Sequence, residues 1–346
     1  MIELLKIDLP LIQAPMAGVS TPAMAAAVSN AGGLGSLGVG ATNAAGARQM
    51  ISSLRERTQR PFNVNVFCHA PARADAAVEA AWLGKLRPRF ERFGADPPPR
   101  LREIYKSFVA DDEMLAMLLA ERPPVVSFHF GIPALEQIRA LRDAGITLLA
   151  SATNLNEARQ VAAAGIDAVI AQGYEAGGHR GSFDEHAPDD QLGTMALTRL
   201  LVRKVGIPVI AAGGLMDGAG ISAALRLGAD AAQLGTAFIG CPESDADAGF
   251  RAALASDAAN HTVMTRVISG RPARCLSNLF TALGASVDEP EIPSYPIAYD
   301  AGKALHAAAK AAGEFGFGAQ LAGQGAPLAR IMPAADLVAT LASEIR

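Results

Sequence analysis

The chain has 346 residues and a formal charge of −4; 50% of its residues are hydrophobic and 18% charged. That balance excludes a strongly basic nucleic-acid-binding protein, since neutralising phosphates takes clustered Lys and Arg, and no apolar run reaches the roughly 18 residues of a membrane span. Cys68, Cys241 and Cys275 lie far apart without CxxC spacing, which argues against a zinc site or disulfide framework and points to a reducing, cytoplasmic setting.

In chain order, "MIELLKIDLPLIQAPM" carries early charges and a proline and reads as mature structure, not a signal peptide. Short apolar runs then recur at 11–16, 34–40, 62–67, 125–130, 147–152, 168–173, 208–214 and 231–238. Most do not alternate apolar with polar, as expected of parallel strands covered on both faces. Helical segments lie between them: "PALEQIRALRDAG" with Pro133 in its first turn, "NLNEARQVAAAG" capped by Asn154, and "DGAGISAALRLGAD" running from Asp217 to Gly228. About eight strand–loop–helix units predict an α/β fold, the (β/α)8 TIM barrel. A doubly wound open sheet is the other architecture with this alternation, but Pro15 and Pro22 stand where a GxGxxG would follow the first strand.

Two stretches depart from the repeat. Residues 70–123, interrupted by "RFGADPPPR", are too long for a simple connection and predict a helical insertion at one barrel end. Residues 241–346 follow the last strand and predict a C-terminal capping segment or small lobe, leaving the barrel itself to residues 1–240.

Barrels gather functional residues at the C-terminal strand ends. Gly213 and Gly214 end the seventh strand, and Gly235 and Thr236 lie within the eighth, where backbone amides can hold a phosphate; a Cβ would keep its oxygens away. Asn65, Gln172 and Gln233 offer donors and acceptors suited to the edge of an isoalloxazine ring, and the lack of a ribose-reading acidic fingerprint favours flavin mononucleotide over a dinucleotide. Each amide taken singly reads more simply as a backbone partner at a loop start. His129 and His179 lie at strand ends, His69 closes the strand-three segment, and His186, His261 and His306, in polar loops or a helical stretch, read as structural or solvated. The glycines of "EAGGHRG" leave His179 without a local packing partner and free to approach a flat ligand. No HExxH or GxSxG occurs, so neither a metal nor a nucleophilic serine is indicated.

These residues resemble the nitronate monooxygenase family, the class formerly called 2-nitropropane dioxygenases. The resemblance is carried by "QAPMAGVS" at 13–20, "FNVNVFCH" at 62–69, "VSFHFG" at 126–131, "EAGGHRG" at 175–181, "AAGGLMDG" at 211–218, "QLGTAF" at 233–238 and "SYPIAYDAGKAL" at 294–305. It implies non-covalent FMN held at Asn65, Gln172, Gly177, Gly214, Gln233, Leu234, Gly235 and Thr236, with His179 as the catalytic histidine. It also implies oxidation of an alkyl nitronate, typically propionate 3-nitronate, by O2 through a flavin semiquinone. The resemblance further implies an aldehyde or oxo acid and nitrite or nitrate as products, and a role in detoxification.

A nitronate is already ionised, so His179 would donate a hydrogen bond to it, while a neutral nitroalkane would need it as a base. Lys303, Tyr299, Tyr295, Tyr105 and His129 are the candidate substrate contacts, Lys303 for a carboxylate. The alternative is an NAD(P)H-dependent flavin reductase of the enoyl-acyl carrier protein reductase or quinone reductase type, which shares the barrel and a GGH-like loop. Partners are expected to be small molecules only, with the protein a monomer or small homo-oligomer.

Overall fold

The apolar runs fold as strands because both of their faces find cover. The computed structural model describes residues 1–346, the side chain of Glu289 excepted. Eleven strands are present: β1 (Leu11–Gln13), β2 (Gly35–Gly38), β3 (Phe62–Phe67), β4 (Val125–His129), β5 (Thr147–Ala152), β6 (Ala168–Gln172), β7 (Gly178–His179), β8 (Val209–Ala212), β9 (Ala231–Leu234), β10 (Thr262–Thr265) and β11 (Ala273–Leu276). All but β7, β10 and β11 form one parallel eight-stranded sheet in the order β1-β9-β8-β6-β5-β4-β3-β2. A parallel bridge between Ile12 and Leu34 joins the two edges, so the sheet closes into a TIM barrel.

Alternation along each strand sorts the core. Ile12, Val125, Leu149, Ile170 and Ile210 pack inside the barrel with Leu5 and Ile7 from the N-terminal turn. Their neighbours Leu11, Val126, Leu148, Val169 and Val209 pack outward against the helices. Both sets are apolar, which is why the sequence runs do not alternate.

Asn154 and Asp217 cap the helices Leu155–Ala163 and Gly218–Arg226, accepting from the N–H groups of Glu157 and Gly220 at 3.0 and 2.8 Å. Two expectations need correction. Pro133 lies ahead of the helix Leu135–Asp143, not in its first turn, because Ala134 is still extended at ψ 150° and serves as the N-cap. The run 231–238 is not one strand: β9 ends at Leu234, and Gly235, at φ −109° and ψ −67°, turns the chain into the short helix Thr236–Ile239.

Within 70–123, the helix Ala76–Arg92 packs on the helix Ile297–Ala311 through Trp82, Leu86 and Phe90. The helix Asp112–Glu121 instead lies between the helices Ala44–Arg55 and Leu135–Asp143, on the barrel wall. The segment after β9 builds a second, antiparallel sheet in the order β10-β11-β7, with Ala273 opposite His179. The chain then returns to the wall, where the helix Ala334–Glu344 packs on both Pro22–Asn30 and Gly218–Arg226. Among the described residues, no helix is long and apolar enough to cross a membrane.

Candidate active site

A cavity of about 670 Å3 opens at the C-terminal ends of the barrel strands, the end where this fold places its chemistry. Asn65, His129, Gln172, Gly177, His179, Gly214, Gln233, Gly235 and Thr236 line it, as do Tyr105, Tyr295, Tyr299 and Lys303. Tyr105 comes from the long connection between β3 and β4 and the other three from the segment after β9, so the site has a strand-end wall and an overlying wall. Leu234 is the one predicted contact that does not line it. Strand alternation turns Gln233 toward the cavity and Leu234 away, 1% exposed, into the core beneath the helices.

His179 is held through its main chain as well as its ring. Its carbonyl accepts from Gln172 Nε2 at 3.0 Å and lies 3.2 Å from His129 Nε2, while His129 Nδ1 meets Ser151 Oγ at 2.9 Å. His129 therefore spends both ring nitrogens on protein groups. The His179 ring packs edge-on to Phe130, Tyr295 and Tyr299, with centroids 5.7, 5.3 and 6.1 Å away. The ring thus has packing partners, all from distant parts of the chain.

Burial and the Arg271 guanidinium push His179 down to about 3. Burial likewise pushes His129 and His69 down to about 4, so all three are neutral at physiological pH. Burial also raises the Tyr105, Tyr295 and Tyr299 phenols well above their ordinary range, keeping their O–H groups as donors. The Lys303 ammonium lies 5.5 and 5.2 Å from the Tyr105 and Tyr299 ring centres at the cavity's exposed side.

The opposite wall suits a flat, phosphorylated cofactor. Gln233 Oε1 is buried without a hydrogen-bond partner, which leaves an acceptor unanswered by protein. Asn65 donates to Ser127 O and Oγ at 3.1 and 2.9 Å, which leaves its carbonyl oxygen available. Gln172 is more committed, since it donates to His179 O and accepts from Gly181 N–H at 2.7 Å.

Glycine is required where three loops meet main chain to main chain. A Cβ on Gly177 would come within 3.0 Å of Ala322 and Gly323 backbone, and one on Gly325 within 3.0 Å of Gly214 O. Beside them the chain turns into the short helix Thr236–Ile239, whose first turn closes with Phe238 N–H donating to Gly235 O at 2.9 Å. An anion with several oxygens fits this cradle.

Three residues near His179 were not legible as site residues. Ser269 Oγ lies 2.8 Å from His179 Nε2. Arg271, with its side chain 2% exposed, stacks 4.2 Å from the Phe130 centroid. His69, 1% exposed, packs edge-on against Tyr295 at 5.0 Å as part of the wall behind the cavity. The one sequence signal for the first two is the turn "SGRP" at 269–272, where Gly270 takes φ 92°. His261 is exposed, and His306 pairs with Asp247 at 3.2 Å on the cavity's outer rim.

Comparison with known proteins agrees with this architecture. A family model described as nitronate monooxygenase matches residues 1–344. A nitronate monooxygenase of Paraburkholderia phytofirmans is 64% identical over 346 residues, which cover 100% of this chain and 94% of that protein. One of Pseudomonas aeruginosa is 55% identical over 344 residues, covering 99% and 98% respectively. The crystal structure of a nitroalkane oxidase from Streptomyces ansochromogenes is similar at a TM-score of 0.91 and 43% identity, covering 99% of this chain and 97% of that one. With a matching model along nearly its whole length and relatives of this identity, the chain is an enzyme belonging to the nitronate monooxygenase family.

Proposed function

We propose that the enzyme oxidises alkyl nitronates, propionate 3-nitronate among them, with FMN and O2, releasing an aldehyde or oxo acid and nitrite or nitrate. The observation that carries this reading is the cavity's division. One wall offers amides and glycine backbone, and the other brings neutral His179 together with protonated phenols and one ammonium. The barrel of residues 1–240 supplies most of the cofactor wall, with the 322–325 loop closing its glycine cradle, and segments 70–123 and 241–346 bring Tyr105, Tyr295, Tyr299 and Lys303 to His179.

FMN would be held by Asn65, Gln172 and Gln233 at its ring and by Gly177, Gly214, Gly235 and Thr236 at its phosphate. When bound, it supplies the electron acceptor for the nitronate. Leu234 adds main chain only, since its side chain faces away. The remaining work falls to binding and orientation. A nitronate bears its charge on the nitro oxygens, and donors fixed in advance hold that charge without reorganising. His179, Tyr295 and Tyr299 supply them, Tyr105 and Phe130 exclude water, and Lys303 meets a carboxylate at the far end of propionate 3-nitronate. His129 acts through the His179 main chain.

The test is anaerobic mixing of the purified protein with propionate 3-nitronate and, separately, with NADH and NADPH, following flavin absorbance. Bleaching by the nitronate alone is expected. Bleaching by a nicotinamide and not by the nitronate would overturn the reading in favour of a flavin reductase.

A further inference from the structure

Ser269 lies in the turn between β10 and β11 and is 1% exposed. The turn is held from two sides. A Cβ on Gly270 would fall within 3.0 Å of the Pro293 and Tyr295 main chain, and Arg271 stacks on Phe130 and donates to Ser182 O. On the ring side, two side chains hold the His179 carbonyl and β11 pairs with β7. Neither partner of the 2.8 Å contact between Ser269 Oγ and His179 Nε2 can drift from the other.

The hydroxyl has one proton to place. Its acceptors are His179 Nε2 at 2.8 Å and Arg271 O at 3.3 Å, and Arg271 N–H points at the oxygen from 3.4 Å. Only the first distance is that of an ordinary hydrogen bond; the contacts to Arg271 are long. Were the ring proton on Nε2, the hydroxyl proton would be left with a poor acceptor in a sealed position, and buried donors without good partners are costly. With the hydroxyl donating to Nε2, the ring proton sits on Nδ1. That atom has no protein partner and is not sealed in, so it opens on the cavity.

We propose that Ser269 is a positioning residue that holds His179 with its proton on Nδ1, so that the site presents a donor to a nitronate oxygen and withholds a base from a neutral nitroalkane. This rests on the nitronate reading above. No proton is transferred in binding the anion: the Nδ1–H bond stays intact and the nitro oxygen accepts. A nitroalkane would have to give its carbon-bound proton to a nitrogen that already carries one.

The test uses the protein as purified, labelled with 15N in its histidine rings, with His179→Asn identifying the His179 signals. The wild type should show a protonated Nδ1 and a bare Nε2, Ser269→Ala a mixture of tautomers, and Ser269→Thr the wild-type pattern. In parallel, Ser269→Ala should raise KM for ethyl nitronate about tenfold, as for a misplaced hydrogen bond to an anion. It should also raise the ratio of nitroethane to ethyl nitronate turnover, and Ser269→Thr should restore both. A purely packing role for Ser269 would leave the tautomer unchanged. Finding Nε2–H in the wild type, or an unchanged tautomer and KM in Ser269→Ala, would overturn the proposal. A wild type that oxidises no nitronate ends the nitronate reading, while the labelled spectra still decide what Ser269 does to His179.

Discussion

Replacing Gly177 by Ala tests whether the glycine cradle holds the cofactor. The added methyl would lie within 3.0 Å of the main chain of Ala322 and Gly323, and no side-chain rotation can relieve that. One of the two loops must move. Gly323 N–H donates to Thr236 Oγ1 at 2.9 Å and Gln324 N–H to Glu175 O at 2.9 Å, so the displacement reaches the phosphate end of the cavity. Overpacking of this kind costs about 1–3 kcal/mol, which, if taken from the bound state, weakens FMN binding about 5- to 150-fold. The assay is titration of deflavinated protein with FMN, following the quenching of its fluorescence. Gly84→Ala is the control, because a Cβ at that helical position meets nothing within 4 Å; it should leave the affinity unchanged and stabilise by up to about 1 kcal/mol. Wild-type FMN affinity in Gly177→Ala would refute the assignment of this loop to the cofactor.

Other expectations follow from the same geometry. Lys303→Met should raise KM for propionate 3-nitronate about two- to fivefold, the scale of an exposed ion pair, and leave ethyl nitronate nearly unchanged; an equal rise for both would place Lys303 away from the carboxylate. His179, His129 and His69 are pushed down from 6.5 to about 3, 4 and 4. The unfolded chain therefore binds protons on them that the folded chain refuses. Stability should fall as the pH drops from about 6.5 to about 4, by up to about 1.4 kcal/mol per pH unit for each histidine. Urea unfolding across that range checks the sign, and His129→Asn should flatten the slope. Removing FMN should lower Tm, with a loss of about 2.7 kcal/mol relative to protein in FMN at 100 times its Kd; a Tm indifferent to FMN would contradict the cradle.

The sequence by itself determined what is periodic and local. Eight apolar runs with capped helices between them specify a parallel α/β fold, because strands covered on both faces need no alternation and Asn154 or Asp217 can start a helix from its own side chain; the lack of a GxGxxG after the first strand favours the barrel over an open sheet. Once the strands are parallel, their C-terminal ends share one face, so Asn65, Gln172 and Gln233 had to converge. Alternation alone also turns Leu234 away from the residue that precedes it.

Only the tertiary structure decided what surrounds His179. Ser269 stands 90 positions along the chain from it, and nothing in "SGRP" names a partner. The antiparallel pairing of β11 with β7 brings that turn under the ring, and burial then fixes where the hydroxyl proton goes. His69, legible from sequence only as the close of the strand-three segment, lies behind Tyr295 because the chain near 295 folds back over the barrel mouth. Contacts of this kind depend on which distant surfaces bury each other, and local pattern carries no record of that choice.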